Sequence, residues 1–231
     1  MQKEIMNVMK KIIAGVTAFA LGLLTQQITQ AQGTMTYLSN LSLTSAGSLA
    51  VGSDSWYAAL FITGPNSSGY TLDSIQLAMT DASGTPSGFM AMVYNGIFGG
   101  TGIEGSIGTL DGSLNPAAGG IYTFTPDSNL TLSANTSYYV VLTAGTTVAN
   151  GAYEWSYAGT SSYNPIGGWS SSGNTWSSTN GRVSALSWQP TSSFTQFAIN
   201  VTDAPEPGVL GLFGLGGVAF LWYRRKTKAV Q

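Results

Sequence analysis

Ser137-Tyr138-Tyr139-Val140-Val141-Leu142-Thr143 places apolar groups on both faces of an extended chain. Tyr138, Val140 and Leu142 share one side, and Tyr139 and Val141 the other. That pattern marks a central strand covered on both sides. Asn129 to Ser133 leads into it through Ala134-Asn135. Ala152 to Ala158 follows and alternates, with Tyr153, Trp155 and Tyr157 against Ala152, Glu154, Ser156 and Ala158.

Working towards the N-terminus, further strands are predicted. Ser55 to Thr63 is nearly all apolar and closes at Gly64-Pro65-Asn66. Asp73 to Thr80 puts Ile75, Leu77 and Met79 on one face. Gly84 to Gly88 turns the chain into Phe89 to Tyr94. Gly99 to Asn115 is loose and glycine-rich, and Ile121 to Thr125 is a short strand ended by Pro126. On the C-terminal side, Val183 to Trp188 and Phe194 to Val201 complete the set. About eight strands with turn residues between them, and no helical period, predict an all-β domain. An antiparallel β-sandwich is the natural outcome, a jelly roll is one topology it admits, and a β-barrel is the alternative.

Both ends of the 231-residue chain read as targeting segments. Lys3, Lys10 and Lys11 precede an apolar region from Ile12 to Leu24, and Thr29-Gln30-Ala31 offers small residues for cleavage. This is the layout of a signal peptide over residues 1–31. The exported β-domain is then 32–203, and the last segment is 204–231. There, Pro205-Glu206-Pro207 stiffens the chain and an uncharged run follows from Val209 to Tyr223. Arg224, Arg225 and Lys226 then form a basic stop. As a helix over 208–223 the run spans roughly 22–24 Å, short against a hydrocarbon core of about 30 Å. Its cations belong on the cytoplasmic side. The expected architecture is a β-domain between an N-terminal signal helix and a C-terminal transmembrane helix.

Charge and residue types prune the functions. Between Gln32 and Asp203 one cation, Arg182, faces eight acids: Asp54, Asp73, Asp81, Glu104, Asp111, Asp127, Glu154 and Asp203. Such a surface cannot neutralise a row of phosphates, so nucleic acid is not a partner. The chain has no Cys and no His. That removes Cys–His and Ser–His–Asp nucleophiles and the usual zinc sets. The middle has no Lys, which removes Schiff-base chemistry. No enzyme, metal or cofactor is expected.

Three sets of residues are weighed as sites. Tyr153, Trp155 and Tyr157 recur about 6–7 Å apart along a strand, a spacing at which rings stack on sugars; the plainer reading is the inward face of the sheet. Trp169 and Trp176 lie in the polar segment 163–182, read as a long surface loop or hairpin. They are contacts for carbohydrate or rings folded back on the sheet edge. Glu104 and Glu154 are the two glutamates a glycosidase would need, but nothing in their spacing pairs them. Asp54, Asp111 and Asp127 lie in turns without a D-x-D-x-D loop, so calcium there has little support. The Asn-x-Ser/Thr triplets at Asn40, Asn66, Asn129, Asn135 and Asn200 arise by chance in so Ser/Thr-rich a chain.

The tail, on Pro205, Glu206 and Pro207, Val209 to Tyr223, and Arg224 and Arg225, resembles the PEP-CTERM sorting signal. The resemblance implies Sec export, an intermediate held in the inner membrane, processing by an exosortase, and delivery to the cell surface or extracellular matrix. There the protein would associate with exopolysaccharide. Heavy O-glycosylation of its Ser/Thr loops would also suit such a protein. Gly69 to Ile75, Gly84 to Gly88, Ala118 to Phe124 and Leu130 to Val141 are similar to the choice-of-anchor R domain. That family is one of exported bacterial β-domains with exchangeable anchors. It implies an architecture and no active site.

Overall fold

The computed structural model describes residues 33–97, 102–181 and 187–204. The expected signal helix over 1–31 and membrane helix over 208–223 lie outside them, as do Arg182 and most of the strand expected at Val183 to Trp188. No helix among the described residues is long and apolar enough to cross a membrane. Gln32–Ala204 forms one compact unit.

Among the described residues fourteen strands build it: β1 (Met35–Ser39), β2 (Ser45–Val51), β3 (Trp56–Ile62), β4 (Tyr70–Gly84), β5 (Met90–Gly96), β6 (Ile103–Asp111) and β7 (Gly120–Pro126), then β8 (Leu130–Leu132), β9 (Ser137–Thr143), β10 (Gly151–Ala158), β11 (Thr175–Ser178), β12 (Gln189–Pro190), β13 (Phe194–Thr195) and β14 (Phe197–Asp203). Every pairing among the described strands is antiparallel.

β9 behaves as its residues require. Every position in it is buried. Its edges pair with β3 and β5, so its backbone groups are satisfied on both sides. Tyr138, Val140 and Leu142 enter the larger apolar cluster, while Tyr139 and Val141 enter a smaller one with Ala58, Leu60, Met92 and Trp188. Each fully buried side chain of this kind contributes about 1.5–3 kcal/mol.

The strands follow the order β1-β14-β4-β7-β6-β5-β9-β3-β11-β12, and β10 joins β4 to β2 and β13. β4 carries two partners along each edge: β14 then β10 on one, β8 then β7 on the other. The sheet curls at β7, whose first part pairs with β4 and whose end, at Thr125 and Pro126, pairs with β6. Both halves thereby line one core. Leu72, Ile75, Phe124, Trp155 and Ile199 come from one half, and Phe61, Val93, Val140 and Leu142 from the other.

Two expectations are corrected. The glycine-rich stretch 99–115 contains a nine-residue strand, β6, because β5 pairs along it and the end of β7 pairs with Leu110 and Asp111. The segment 163–182 contains β11, which pairs with β3. β1 and β2 had no clear period to betray them. In β2, Gly47 leaves room for a ring: a Cβ there would meet Tyr157 Oη at 2.6 Å.

Buried phenols make the fold alkali-sensitive. Burial pushes Tyr139 from 10.0 to about 12, and Tyr163 likewise. Burial first, and then the Asp203 carboxylate, push Tyr37 higher still. A phenol whose folded-state pKa is raised contributes stability that is complete below its unfolded value and is lost as pH rises through the folded value. Stability is therefore expected to hold up to about pH 10 and to fall between about 10 and 12. Far-ultraviolet circular dichroism and tyrosinate absorbance should change together in that window. Full tyrosinate formation with an intact β-spectrum would contradict this.

Candidate functional site

The aromatic row of β10 points inward. Tyr153 and Trp155 are fully buried. The Tyr153 hydroxyl donates to Asn115 Oδ1 at 3.0 Å, and the Trp155 Nε1–H donates to the Gln196 carbonyl at 3.1 Å. Tyr157 is half-buried over Gly47. The plainer reading of this row is what the structure places here. Ala152, Ser156 and Ala158, expected to face outward, are buried as well. The Ser156 hydroxyl donates to Gln196 Oε1 at 2.6 Å, and Gln196 Nε2 donates to the Leu43 carbonyl at 2.7 Å. The connection between β1 and β2 thus helps cover the second face of β10.

Trp169 is not a surface ring. It is 2% exposed and stacks on Phe61 with centroids 6.0 Å apart and planes 4° from parallel. Tyr70 meets it edge-on at 4.9 Å, and Tyr37 lies at 5.3 Å. Gly167 and Gly168 adopt φ values of +59° and +79° just before it, a left-handed turn that drives the indole inward. Trp176, on β11, is half-buried against the smaller cluster. Neither indole N–H has a hydrogen-bond partner among the described residues.

The carboxylates stay apart. Glu104 is exposed on β6, and Glu154 on β10 accepts a hydrogen bond from Ser48 at 2.7 Å. β6 and β10 do not pair. Asp54 Oδ1 accepts from the Val148 N–H at 2.9 Å, Asp127 accepts from Thr109, and Asp111 is exposed. Among the described residues no three acids gather into a metal site. Asn40 and Asn200 are buried, and Asn40 Nδ2 donates to the Thr195 carbonyl, so neither can carry a glycan.

A polar cleft that the sequence did not suggest lies at the β3–β11–β12 edge. Its volume is about 390 Å³. Tyr57, Ser177 and Gln189 stand in register across the three strands. Asp54, Asn180 and Ser187 complete the principal lining. Gly181, at φ +60°, closes against Trp56, where a Cβ would come within 2.3 Å of the indole. The lining offers one aromatic ring, amides, hydroxyls and a carboxylate, and no cation among the described residues. Such a lining can both donate and accept hydrogen bonds. Its parts lie some 120 residues apart along the chain, so no local motif announces it.

The second feature is the end of β14. Val201 pairs with Met35, so β1 begins and β14 ends at the same pole of the domain. The Tyr37 hydroxyl donates to Asp203 Oδ2 at 2.6 Å, and the Thr202 hydroxyl donates to Asp73 at 2.7 Å. The Ala204 N–H donates to the Gly69 carbonyl at 3.1 Å, and Asn66 Nδ2 donates to the Ala204 carbonyl at 3.4 Å. The chain is therefore tied down to the residue before Pro205. Pro205, Glu206, Pro207, Arg224, Arg225 and Lys226 lie outside the described residues.

The PEP-CTERM protein-sorting motif matches residues 203–226 of the chain. The match includes the Pro-Glu-Pro triplet, the apolar run and the first basic residues, and begins at the last residue of β14. No curated protein and no solved structure matches the chain.

Proposed function

We propose that this chain is an exported, non-enzymatic surface or extracellular-matrix protein. It enters the Sec pathway, pauses in the inner membrane, and is sorted through its C-terminal signal by an exosortase-type processing enzyme. The observation that carries this reading is the sorting-motif match at 203–226, which begins at the last residue of the final strand. The absence of Cys and His, and two glutamates on strands that do not pair, support a non-catalytic role. Two sheet halves facing one core support an antiparallel β-sandwich, in keeping with the choice-of-anchor R resemblance. Association with exopolysaccharide is the role such a cargo would serve.

Changing Pro205, Glu206 and Pro207 together to alanine is expected to abolish sorting. The precursor should accumulate in the membrane fraction at its unprocessed mass, read by cell fractionation and mass spectrometry of both termini. An unchanged product in an unchanged place would remove the reading.

A second reading, a carbohydrate-binding module, is favoured by the cleft. Its contacts are then Tyr57, Asn180 and Gln189 rather than Trp169 or the β10 row. Tyr57→Ala is expected to weaken binding to a neutral polysaccharide about tenfold, equivalent to roughly 1.4 kcal/mol. Affinity electrophoresis of the full chain would show it, and equal retardation of both proteins would argue against the cleft.

A further inference from the structure

Asparagine followed by glycine is a chemically labile pair. With no Cβ in the way, the glycine nitrogen can reach the asparagine Cγ and displace the side-chain nitrogen. The chain has three such pairs: Asn95-Gly96, Asn150-Gly151 and Asn180-Gly181. The fold treats them differently.

Asn95 is half-buried inside β5 and pairs with Tyr138 of β9, while Gly96 pairs with Ile103 of β6. Turning its side chain back onto the Gly96 nitrogen would break backbone bonds in that ladder. Asn150 is exposed, but its reacting groups are engaged elsewhere. Its Nδ2 donates to Thr147 Oγ1 at 3.0 Å, and the Gly151 N–H donates to the Val148 carbonyl. Gly151 also opens β10 opposite Gly84, in backbone so close that a Cβ there would lie 2.5 Å from the Thr85 nitrogen.

Asn180 is exposed and lies beyond the end of β11, outside any ladder. One hydroxyl gathers the reacting groups. Ser178 Oγ accepts the Gly181 N–H at 3.1 Å and the Asn180 N–H at 3.4 Å, and it donates to Asn180 Oδ1 at 3.4 Å. The attacking nitrogen and the carbonyl it attacks are thus held on the same oxygen atom. A donor on Oδ1 stabilises the charge this oxygen gains as Cγ becomes tetrahedral.

We infer that Asn180 is a self-modifying site, with Ser178 as its positioning residue. The Gly181 nitrogen gives its proton to water and bonds to Asn180 Cγ. The Cγ–Nδ2 bond breaks, and that nitrogen takes up a proton and leaves as ammonia. The cyclic succinimide that remains is opened by water at either carbonyl, giving aspartate or isoaspartate. Water is the one co-reactant. Each product is a carboxylate in the cleft that Asp54 already lines, so the cleft grows more acidic as the molecule ages. The step depends neither on how the chain is sorted nor on whether the cleft takes a ligand.

The test follows the full chain in mildly alkaline buffer, below the pH at which its buried phenols ionise. Samples are digested at intervals, and mass spectrometry of the peptides counts amide turned to acid at each asparagine. Asn180 is expected to convert at least about tenfold faster than Asn150 or Asn95. In urea the three are expected to convert at similar rates, since unfolding removes what protects the other two. Ser178→Ala is expected to slow Asn180 about tenfold and to leave Asn150 and Asn95 unchanged. Ser178→Thr, which keeps the hydroxyl, is expected to retain the parent rate, and the thermal midpoint of each variant shows that it is folded. Asn150 or Asn95 keeping pace with Asn180 in the folded chain overturns the inference. So does a preference for Asn180 that persists in urea, or a folded Ser178→Ala chain that converts at the parent rate. Should Ser178→Ala fail to fold, the comparison of folded with unfolded parent chain decides.

Discussion

Trp169→Ala is expected to cost about 3–5 kcal/mol of folding stability, the range for removing a large buried aromatic group. The indole is nearly inaccessible and touches Phe61, Tyr70 and Tyr37. Removing it takes away the ring that joins β1, β3 and the start of β4. Since a whole domain is stable by only about 5–15 kcal/mol, this one change consumes much of the margin. For a domain of this size the thermal midpoint should drop by roughly 6–20 °C. Near-ultraviolet circular dichroism during heating measures it directly. A variant that melts with the parent and loses only polysaccharide binding would return Trp169 to the surface.

Gly64→Ala is the second change of large effect, and it strikes the same neighbourhood. A Cβ at Gly64 would lie 2.1 Å from the Gly167 carbonyl oxygen and 2.7 Å from Tyr70 Oη. The first contact is with backbone, which no rotamer change relieves. The turn before Trp169 must move away from the end of β3, and the indole moves with it. Overpacking of this kind costs about 1–3 kcal/mol, and the backbone clash places it at the upper end. The two substitutions share contacts, so the double variant should lose less than the sum. Once the indole is absent, the Gly167 turn is free to retreat from the new methyl. Denaturant unfolding of the parent, both single variants and the double variant gives the coupling, and strict additivity would contradict it.

The parts of the fold that could be read in advance are those whose own residues carry the signal. β9 shows apolar groups on both faces because both faces are covered, and β3, β5, β10 and β14 are similarly explicit. Where the information is held by a distant partner, the pattern fades. β2 reads Ser-Ala-Gly-Ser-Leu-Ala-Val, and its glycine makes sense only beside Tyr157, 110 residues away. β6 was hidden by glycines. Gly108 sits against Leu130 at the wall of the larger core, and a Cβ at Gly105 would meet nothing within 4 Å.

The candidate sites divide in the same way. The sorting tail is local and was legible. Trp169 stayed open between two readings because its sequence neighbours are Ser, Gly and Asn, while its spatial neighbours are aromatic. The cleft beside Tyr57 was illegible, since its walls come from two segments that share no motif.

The pairing of Met35 with Val201 has a mechanical consequence. Antiparallel bonds run across the strands, and here the two strands leave from one end. A molecule gripped by its rear end and tugged by its front would part β1 from β14 like a zipper, one rung at a time. It would yield at low force and then close again when the tension passed. Load taken instead through the far side of the sheet would cross many rungs together, so this body resists pulling in one direction and gives in the other.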